Sequence, residues 1–250
     1  MNALQSYLDH GFHEVNGWLS EVALEATLLL GEIQHELGVS GPVCEIGVWQ
    51  GRYLLPLSFV ADENARTVGI DPFVHTPDPA AQRHQLDANI ARFARNPDSV
   101  RIIAKSSREV TASKIIDEMG GYAQMVSVDG DHTMEGALAD LRLAETLLMR
   151  GGVISVDDFE NNSCPGVIEA VIRHGVDPLS RTAPFLCIGN KLFLAHREWC
   201  DSYREAILEK CATGGAGKWG TDILNYRDHM TRLKIPVQLL GQELLIPVSV

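Results

Sequence analysis

V-S-V-D-G-D-H at residues 126–132 and G-G-V-I-S-V-D-D-F at residues 151–159 bracket the stretch that decides the fold. Each short apolar run ends abruptly in acid, the first at Asp129 and the second at Asp157-Asp158. Between them Leu138, Leu141, Ala144, Leu147 and Leu148 recur at helical spacing, and Gly151-Gly152 reads as a stop signal. The pattern predicts a strand–helix–strand unit with a right-handed connection and parallel strands. If the strands are neighbours, their ends lie about 5 Å apart. Three carboxylates then meet at the carboxyl edge of the sheet, where open α/β sheets place their ligands.

Working outward, the same rhythm repeats. Val43–Gly47, Thr67–Asp71 and Val100–Ala104 read as earlier strands, each followed by a helical run. Pro56 restricts the run near 53–61 to an early-turn position. Residues 1–38 read as helical, with Trp18 and neighbouring leucines on the core face and Gly38 as the stop. Beyond 159 comes one more helix near 167–172. Phe185–Ile188 and Leu192–Ala195 then flank Gly189-Asn190-Lys191 as a hairpin. The expected architecture is a Rossmann-like doubly wound α/β sheet, mostly parallel. N-terminal helices precede it and an extension follows. The expected division is a domain over 1–198 and an extension over 199–250. Within the extension, Gly214–Gly220 reads as a flexible break, 221–233 as a helix and 237–250 as an apolar strand-like segment suited to packing on the body or on a second copy.

Composition sets the outer limits. The 250 residues are 45% hydrophobic and 22% charged, with net charge −12, an ordinary globular balance and a poor match for nucleic acid or anionic membrane. Five cysteines, an odd number without a C-x-x-C pair, suit reduced thiols. No basic segment followed by an apolar core opens the chain, and the expected location is cytoplasmic. A small-molecule partner is expected, and the apolar end segment is consistent with a homo-oligomer.

Glu45-Ile-Gly47-Val-Trp-Gln-Gly51 occupies the turn after the first strand, where glycines admit close backbone approach to a ligand. Glu45 stands where a dinucleotide site wants glycine, and its charge opposes a pyrophosphate. A cationic ligand such as S-adenosylmethionine meets no such objection. Asp71 closes the second strand, placed to accept from ribose hydroxyls.

These motifs in order (E-I-G-V-W-Q-G, G-I-D-P-F, V-D-G-D-H and G-G-V-I-S-V-D-D-F) resemble the class I S-adenosylmethionine-dependent methyltransferases over about residues 17–196. They are similar, more narrowly, to the bacterial small-molecule O-methyltransferases that act on macrolide and aminocoumarin sugars. The resemblance implies a seven-stranded sheet whose last strand runs antiparallel. It implies cofactor contacts at Glu45, Gly47, Gly51 and Asp71, and at Ser106 or Ser107, and a divalent metal on Asp129, Asp157 and Asp158. Independently of the resemblance, three crowded carboxylates must bind a cation, take up a proton or splay apart. Oxygen-only ligands favour Mg²⁺, with Mn²⁺ or Ca²⁺ also suited. A metal-bound substrate hydroxyl would lose its proton to a nearby base and attack the sulfonium methyl in line. His132 and Asp131 compete for the base role.

Blander readings stand beside these. Asp131 or His132 can cap the following helix, Asp157-Asp158 can be solvated loop acids, and Gly47 and Gly51 can simply make a tight turn. Trp49 can pack rather than stack on a ligand, and His10, His13, His75 and His84 lack ligand spacing. Substrate choice is expected from residues 1–20, the loop 72–85 and the segment after Phe159. The alternatives to metal-assisted O-methylation are a metal-independent methyltransferase using His132, and a protein that binds S-adenosylmethionine without turning it over.

Overall fold

A computed structural model describes residues 3–74 and 76–248. The expectation for His75, and the outermost residues of the 1–38 and 237–250 segments, fall outside the described residues.

The N-terminal segment forms short helical turns, Ala3–Ser6 (α1), a π-helical turn at Tyr7–Gly11, and Phe12–Glu14 (α2). An extended stretch interrupts the expected single helical region before Glu21–Glu36 (α3), capped by the Ser20 hydroxyl accepting from the Ala23 amide. Gly38 follows in the left-handed region at φ 74°, as a helix stop requires.

The sheet contains Val43–Ile46 (β1), Thr67–Ile70 (β2), Val100–Ile103 (β3), Ala123–Val128 (β4), Leu148–Val156 (β5), Thr182–Ile188 (β6) and Lys191–His196 (β7). Its spatial order is β3-β2-β1-β4-β5-β7-β6. β1 through β5 pair in parallel, and β7 pairs antiparallel with both β5 and β6. The tight Gly189-Asn190 turn drives β7 back between β5 and β6, so β7 alone opposes the other strands. Chain order reverses at β1, where β2 lies on one side and β4 on the other. That switch point opens a crevice beyond the strand ends.

Leu54–Val60 (α4), Pro79–Phe93 (α5), Ala112–Met119 (α6), Met134–Leu147 (α7) and Pro165–Val176 (α8) connect the strands. Pro56 falls in the first turn of α4, where its missing amide costs nothing. Two buried apolar clusters lie on opposite faces of the sheet. One joins α3, α4 and α5 to the N-terminal segment, and the other is built on α7 and α8. β5 begins at Leu148, before the glycine pair, and runs through Gly151 at φ 80° with a register irregularity opposite Ala123 and Met125.

In the extension, Cys200–Ala212 (α9) and Gly217–Leu233 (α10) bury Tyr203, Ile207 and Trp219 in the same core as the sheet. Tyr203 stacks on Phe185 with ring centroids 5.0 Å apart. The break expected over Gly214–Gly220 ends early, because α10 already starts at Gly217. The expected end strand is reduced to the small hairpin Gln238–Leu239 (β8) and Gln242–Glu243 (β9). Leu245 then bridges in parallel to Leu186, with backbone bonds to Phe185 and Cys187. This covers the outer edge of β6.

Candidate active site

A cavity of about 1430 Å³ opens at the carboxyl ends of β1, β2, β4 and β5, and Gly47, Asp71, Ser106, Ser107, Asp129, Asp131, His132, Asp157 and Asp158 all line it. That volume holds a cofactor-sized ligand and leaves room for a second small molecule. A smaller cavity of about 260 Å³ lies apart, between α10 and the C-terminal segment.

The first turn is fixed by Asp71. Its Oδ2 accepts from the amides of Val48 (3.0 Å) and Trp49 (2.8 Å), and its Oδ1 accepts from the Phe73 amide (2.7 Å). The carboxylate expected to meet a ribose therefore also holds the loop that shapes the cavity. Gly47 has φ 88°, and a Cβ there would sit 1.8 Å from the Asp129 carbonyl oxygen. The close approach of the β1 and β4 turns demands glycine even without a ligand. Gly51, at φ 90°, lies off the cavity, and its Cβ would press on Leu86.

Glu45 is also behind the cavity wall. It is 1% exposed and its Oε2 has no hydrogen-bond partner. Burial, then the nearby Asp129 charge, pushes its carboxyl well above the usual range. Because burial disfavours the Glu45 charge, the charge objection to a pyrophosphate raised from sequence weakens. Ser106 caps the turn Ser107–Glu109, accepting from the Arg108 amide, while its own amide donates to Glu109. Ser107 Oγ donates to buried Asp140 at 2.6 Å.

The three carboxylates of the acidic rim meet three different fates. Asp157 is paired with Lys191, whose Nζ stands 3.1 Å from Asp157 Oδ2 and 3.9 Å above the Tyr53 ring. Lys191 is 1% exposed. The contact is at ion-pair distance but is not aligned as a hydrogen bond, which leaves Nζ without a hydrogen-bond partner. Burial opposes its charge, yet Asp157, Tyr53 and Asp129 outweigh burial and hold the ammonium above its ordinary range.

Asp129 tends toward the neutral form. Burial pushes its carboxyl up to about 7; the His132 hydrogen bond opposes this and the Asp157 charge reinforces it. Asp158 turns away, at φ 58°, and its Oδ1 accepts from Asn161 and Asn190 side-chain amides at 2.8 Å each. Burial opposes its charge, but those two amides hold it below the usual carboxylate range.

His132 stands between two of these acids. Its Nε2 is 3.5 Å from Asp129 Oδ1 and 3.4 Å from Asp158 Oδ2, and its Nδ1 faces Cys164 Sγ at 3.4 Å. The Asp129 interaction raises its pKa and partial burial opposes the rise. Asp131 points elsewhere. Its Oδ1 accepts from the Thr133 amide at 2.9 Å and its Oδ2 pairs with Arg108 at 3.4 Å. The amide bond holds Asp131 below its ordinary pKa, which makes it a poor proton acceptor. The cap of α7 itself is Thr133, accepting from Gly136.

The three-carboxylate metal set expected from sequence is thus not gathered around one point. Lys191 already neutralises Asp157, and Asp158 is turned onto two asparagines. Among the described residues, the three donors close enough to share an ion are His132, Asp158 and Cys164. The donor set of Asp129, Asp157 and Asp158 does not fit a magnesium centre in this arrangement.

Several of these groups were missed in the sequence. Lys191 read only as a hairpin residue, although a lysine opening the apolar run L-F-L-A was a usable signal. Trp18, expected in the core, is 83% exposed at the cavity mouth, with its ring 6.1 Å from Trp49. The helix ends before it, and the extended stretch presents it outward. Trp49 (φ 51°), Phe73 (φ 54°), Asp158 and Asn190 (φ 73°) are left-handed non-glycine residues that all line the cavity. Such strain concentrates where a ligand is handled.

Comparison with known proteins agrees with this frame. Residues 44–159 match the family described as "Methyltransferase domain". An uncharacterised protein, R132 of Acanthamoeba polyphaga mimivirus, is 27% identical over 128 residues, 51% of this chain. The chain spans about half (56%) of that relative's length. Among solved structures, CalS11, described as a TDP-rhamnose 3'-O-methyltransferase of calicheamicin biosynthesis, superposes with a TM-score of 0.53 at 20% identity, over 76% of this chain and 86% of its own. TomG, an O-methyltransferase from Streptomyces achromogenes solved with S-adenosylmethionine, gives 0.53 at 17% identity, over 78% and 87%. The matched segment, which runs from β1 to the end of β5, makes this part of the chain similar to a methyltransferase domain, and the solved O-methyltransferases share its fold.

Proposed function

We propose that this protein transfers the methyl group of S-adenosylmethionine to a hydroxyl oxygen of a small molecule, a sugar or another hydroxylated natural product. His132 is the general base and no divalent metal is required. The observation that carries this reading is the His132 imidazole set between Asp129 and Asp158 at the rim of the cavity. Asp129 and Asp158 orient the ring through Nε2, and the Asp158 carboxylate stabilises the imidazolium that proton transfer creates.

Bound S-adenosylmethionine supplies a methyl on a positively charged sulfur. The chain's residues do the rest. Asp71 keeps the first turn in place, Trp18 and Trp49 frame the mouth, and His132 takes the acceptor's hydroxyl proton. As the O–C bond forms, the C–S bond breaks and its electron pair stays on sulfur. Lys191 contributes a fixed positive charge 3.1 Å from Asp157 beside the reacting groups, the role first assigned to an ion. The relatives described as O-methyltransferases, one acting on a sugar nucleotide and one solved with S-adenosylmethionine, support the choice of oxygen and of donor.

Labelled S-adenosylmethionine offered with a panel of sugar nucleotides and phenolic or polyketide alcohols tests the reading. Transfer should persist in EDTA. His132→Gln should lower kcat by about 10²–10⁴-fold while cofactor affinity by calorimetry stays within about threefold. Transfer that stops in EDTA and returns with Mg²⁺ would reject the metal-independent part. Unchanged turnover in His132→Gln would reject the base.

A further inference from the structure

We propose that His132, Asp158 and Cys164 form a three-donor site for a thiophilic divalent cation of the Zn²⁺ type, and that its occupancy withdraws His132 from proton transfer. The donors come from separate elements. His132 lies in the turn after β4, Asp158 in the turn after β5, and Cys164 directly before α8. One ligand atom from each lies within 4.8 Å of the other two, and all three residues line the cavity.

The spacing matches a tetrahedral ion closely. With bonds of about 2.3 Å to sulfur and about 2.0–2.1 Å to nitrogen and oxygen, sulfur sits about 3.6 Å from either lighter donor. Here Cys164 Sγ is 3.4 Å from His132 Nδ1 and 3.5 Å from Asp158 Oδ2. The 3.4 Å contact of His132 with Asp158 is through Nε2, so the ring must reorient for one nitrogen to share an ion with both other donors. A protein that offers three ligands leaves the fourth position to water or solvent-borne ligand. The thiolate makes the site selective. Sulfur and imidazole donors favour zinc over magnesium, whose preference is oxygen. Binding replaces the thiol hydrogen with the metal and releases one proton to solvent.

The other four cysteines are buried, at 0–7% exposure, and do not compete for an added ion. Cys164 touches the His132 ring that the methyl-transfer reading uses, so the assay must separate the two readings. Binding is measured on the full chain without an acceptor, so it succeeds or fails independently of whether the methyl-transfer reading holds.

The experiment titrates the purified, reduced protein with Zn²⁺ by calorimetry at two buffer ionisation enthalpies, and with Co²⁺ by absorption. The expected result is one Zn²⁺ per chain, with proton release, at least 100-fold tighter than Mg²⁺. Bound cobalt should show thiolate-to-metal charge transfer in the near ultraviolet. Cys164→Ser should weaken zinc at least tenfold and abolish the charge-transfer band, while binding S-adenosylmethionine as the parent does. Circular dichroism and thermal melting confirm that the variant folds, and Cys164→Ala serves where serine does not. No stoichiometric zinc, or zinc binding unaltered by both Cys164 variants, overturns the proposal. So does a cobalt spectrum without a thiolate band.

Discussion

Replacing Lys191 by methionine removes one buried charge and keeps most of the side chain's volume. The ammonium lies 3.1 Å from Asp157 Oδ2. At an effective dielectric of about 20, that separation corresponds to about 5 kcal/mol of attraction, an upper bound before relaxation. Breaking a buried pair while leaving its partner charged costs about 3–5 kcal/mol. Asp129, which ionises by pH 8, lies near enough to add repulsion. Without the lysine, the folded acids titrate at higher pH than the unfolded ones, so the folded state binds more protons and the variant loses stability as pH rises. Urea unfolding should therefore show Lys191→Met destabilised by about 3–5 kcal/mol at pH 8 and by clearly less at pH 6. Adding Asp157→Asn removes the orphaned charge and should restore at least about 1.5 kcal/mol at pH 8. A single variant within about 1 kcal/mol of the parent, or a double variant no better than the single, would refute the claim that Lys191 is the cation of this cluster.

Asp129→Asn tests the proton-bearing member. Its folded pKa of about 7 lies above the ordinary value of 3.8, so it withdraws stability as pH rises from about 4 to 7. The asparagine variant should be more stable than the parent at pH 8 by about 1–2 kcal/mol, allowing for the 27% of the side chain open to the cavity and for coupling to His132. The gap should close near pH 4, as urea unfolding at both ends reads directly. Asp71→Asn replaces one accepting oxygen by a donor facing backbone amides. Losing one or two of those bonds, at about 1–3 kcal/mol, should loosen the first turn and weaken S-adenosylmethionine about tenfold by calorimetry. Trp18→Ala should alter stability by less than about 1 kcal/mol, because the ring is solvent-exposed. It should raise the acceptor KM about tenfold at unchanged kcat, and a change confined to kcat would place Trp18 elsewhere in the cycle.

Sequence periodicity revealed the sheet because its causes are local. Alternating apolar runs ending in acid, a proline in an early turn and a Gly-Asn-Lys hairpin each constrain a few neighbouring residues. The spatial order β3-β2-β1-β4-β5-β7-β6 came from the structure, because it depends on which distant strands pair. What stayed hidden depends on contacts between distant residues. Lys191 is 34 positions from its partner Asp157, and nothing in either neighbourhood announces the pair. Asn161 and Asn190 converge on Asp158 from 3 and 32 positions further along the chain. Trp18 was misplaced because a helical apolar pattern says which residues share a face, but not where the helix begins. Ser20 starts α3 two residues beyond it.

The three outcomes open to crowded carboxylates were read from sequence as alternatives, and the fold realises all of them at once. Asp157 acquires a cation, Asp129 moves toward the protonated form, and Asp158 is drawn aside. This division matters for chemistry. Methyl transfer to a neutral hydroxyl removes positive charge from sulfur and delivers a proton to the base. In this cavity the relocated charge arrives on an imidazole already flanked by the Asp158 carboxylate and by Asp129. Groups fixed before reaction stabilise that charge without reorganising. A covalently attached ammonium can offset the third acid permanently, whereas an exchangeable ion could leave with product. The arrangement therefore places the fixed cation where charge does not change, at Asp157, and the paired acids where it does, at His132.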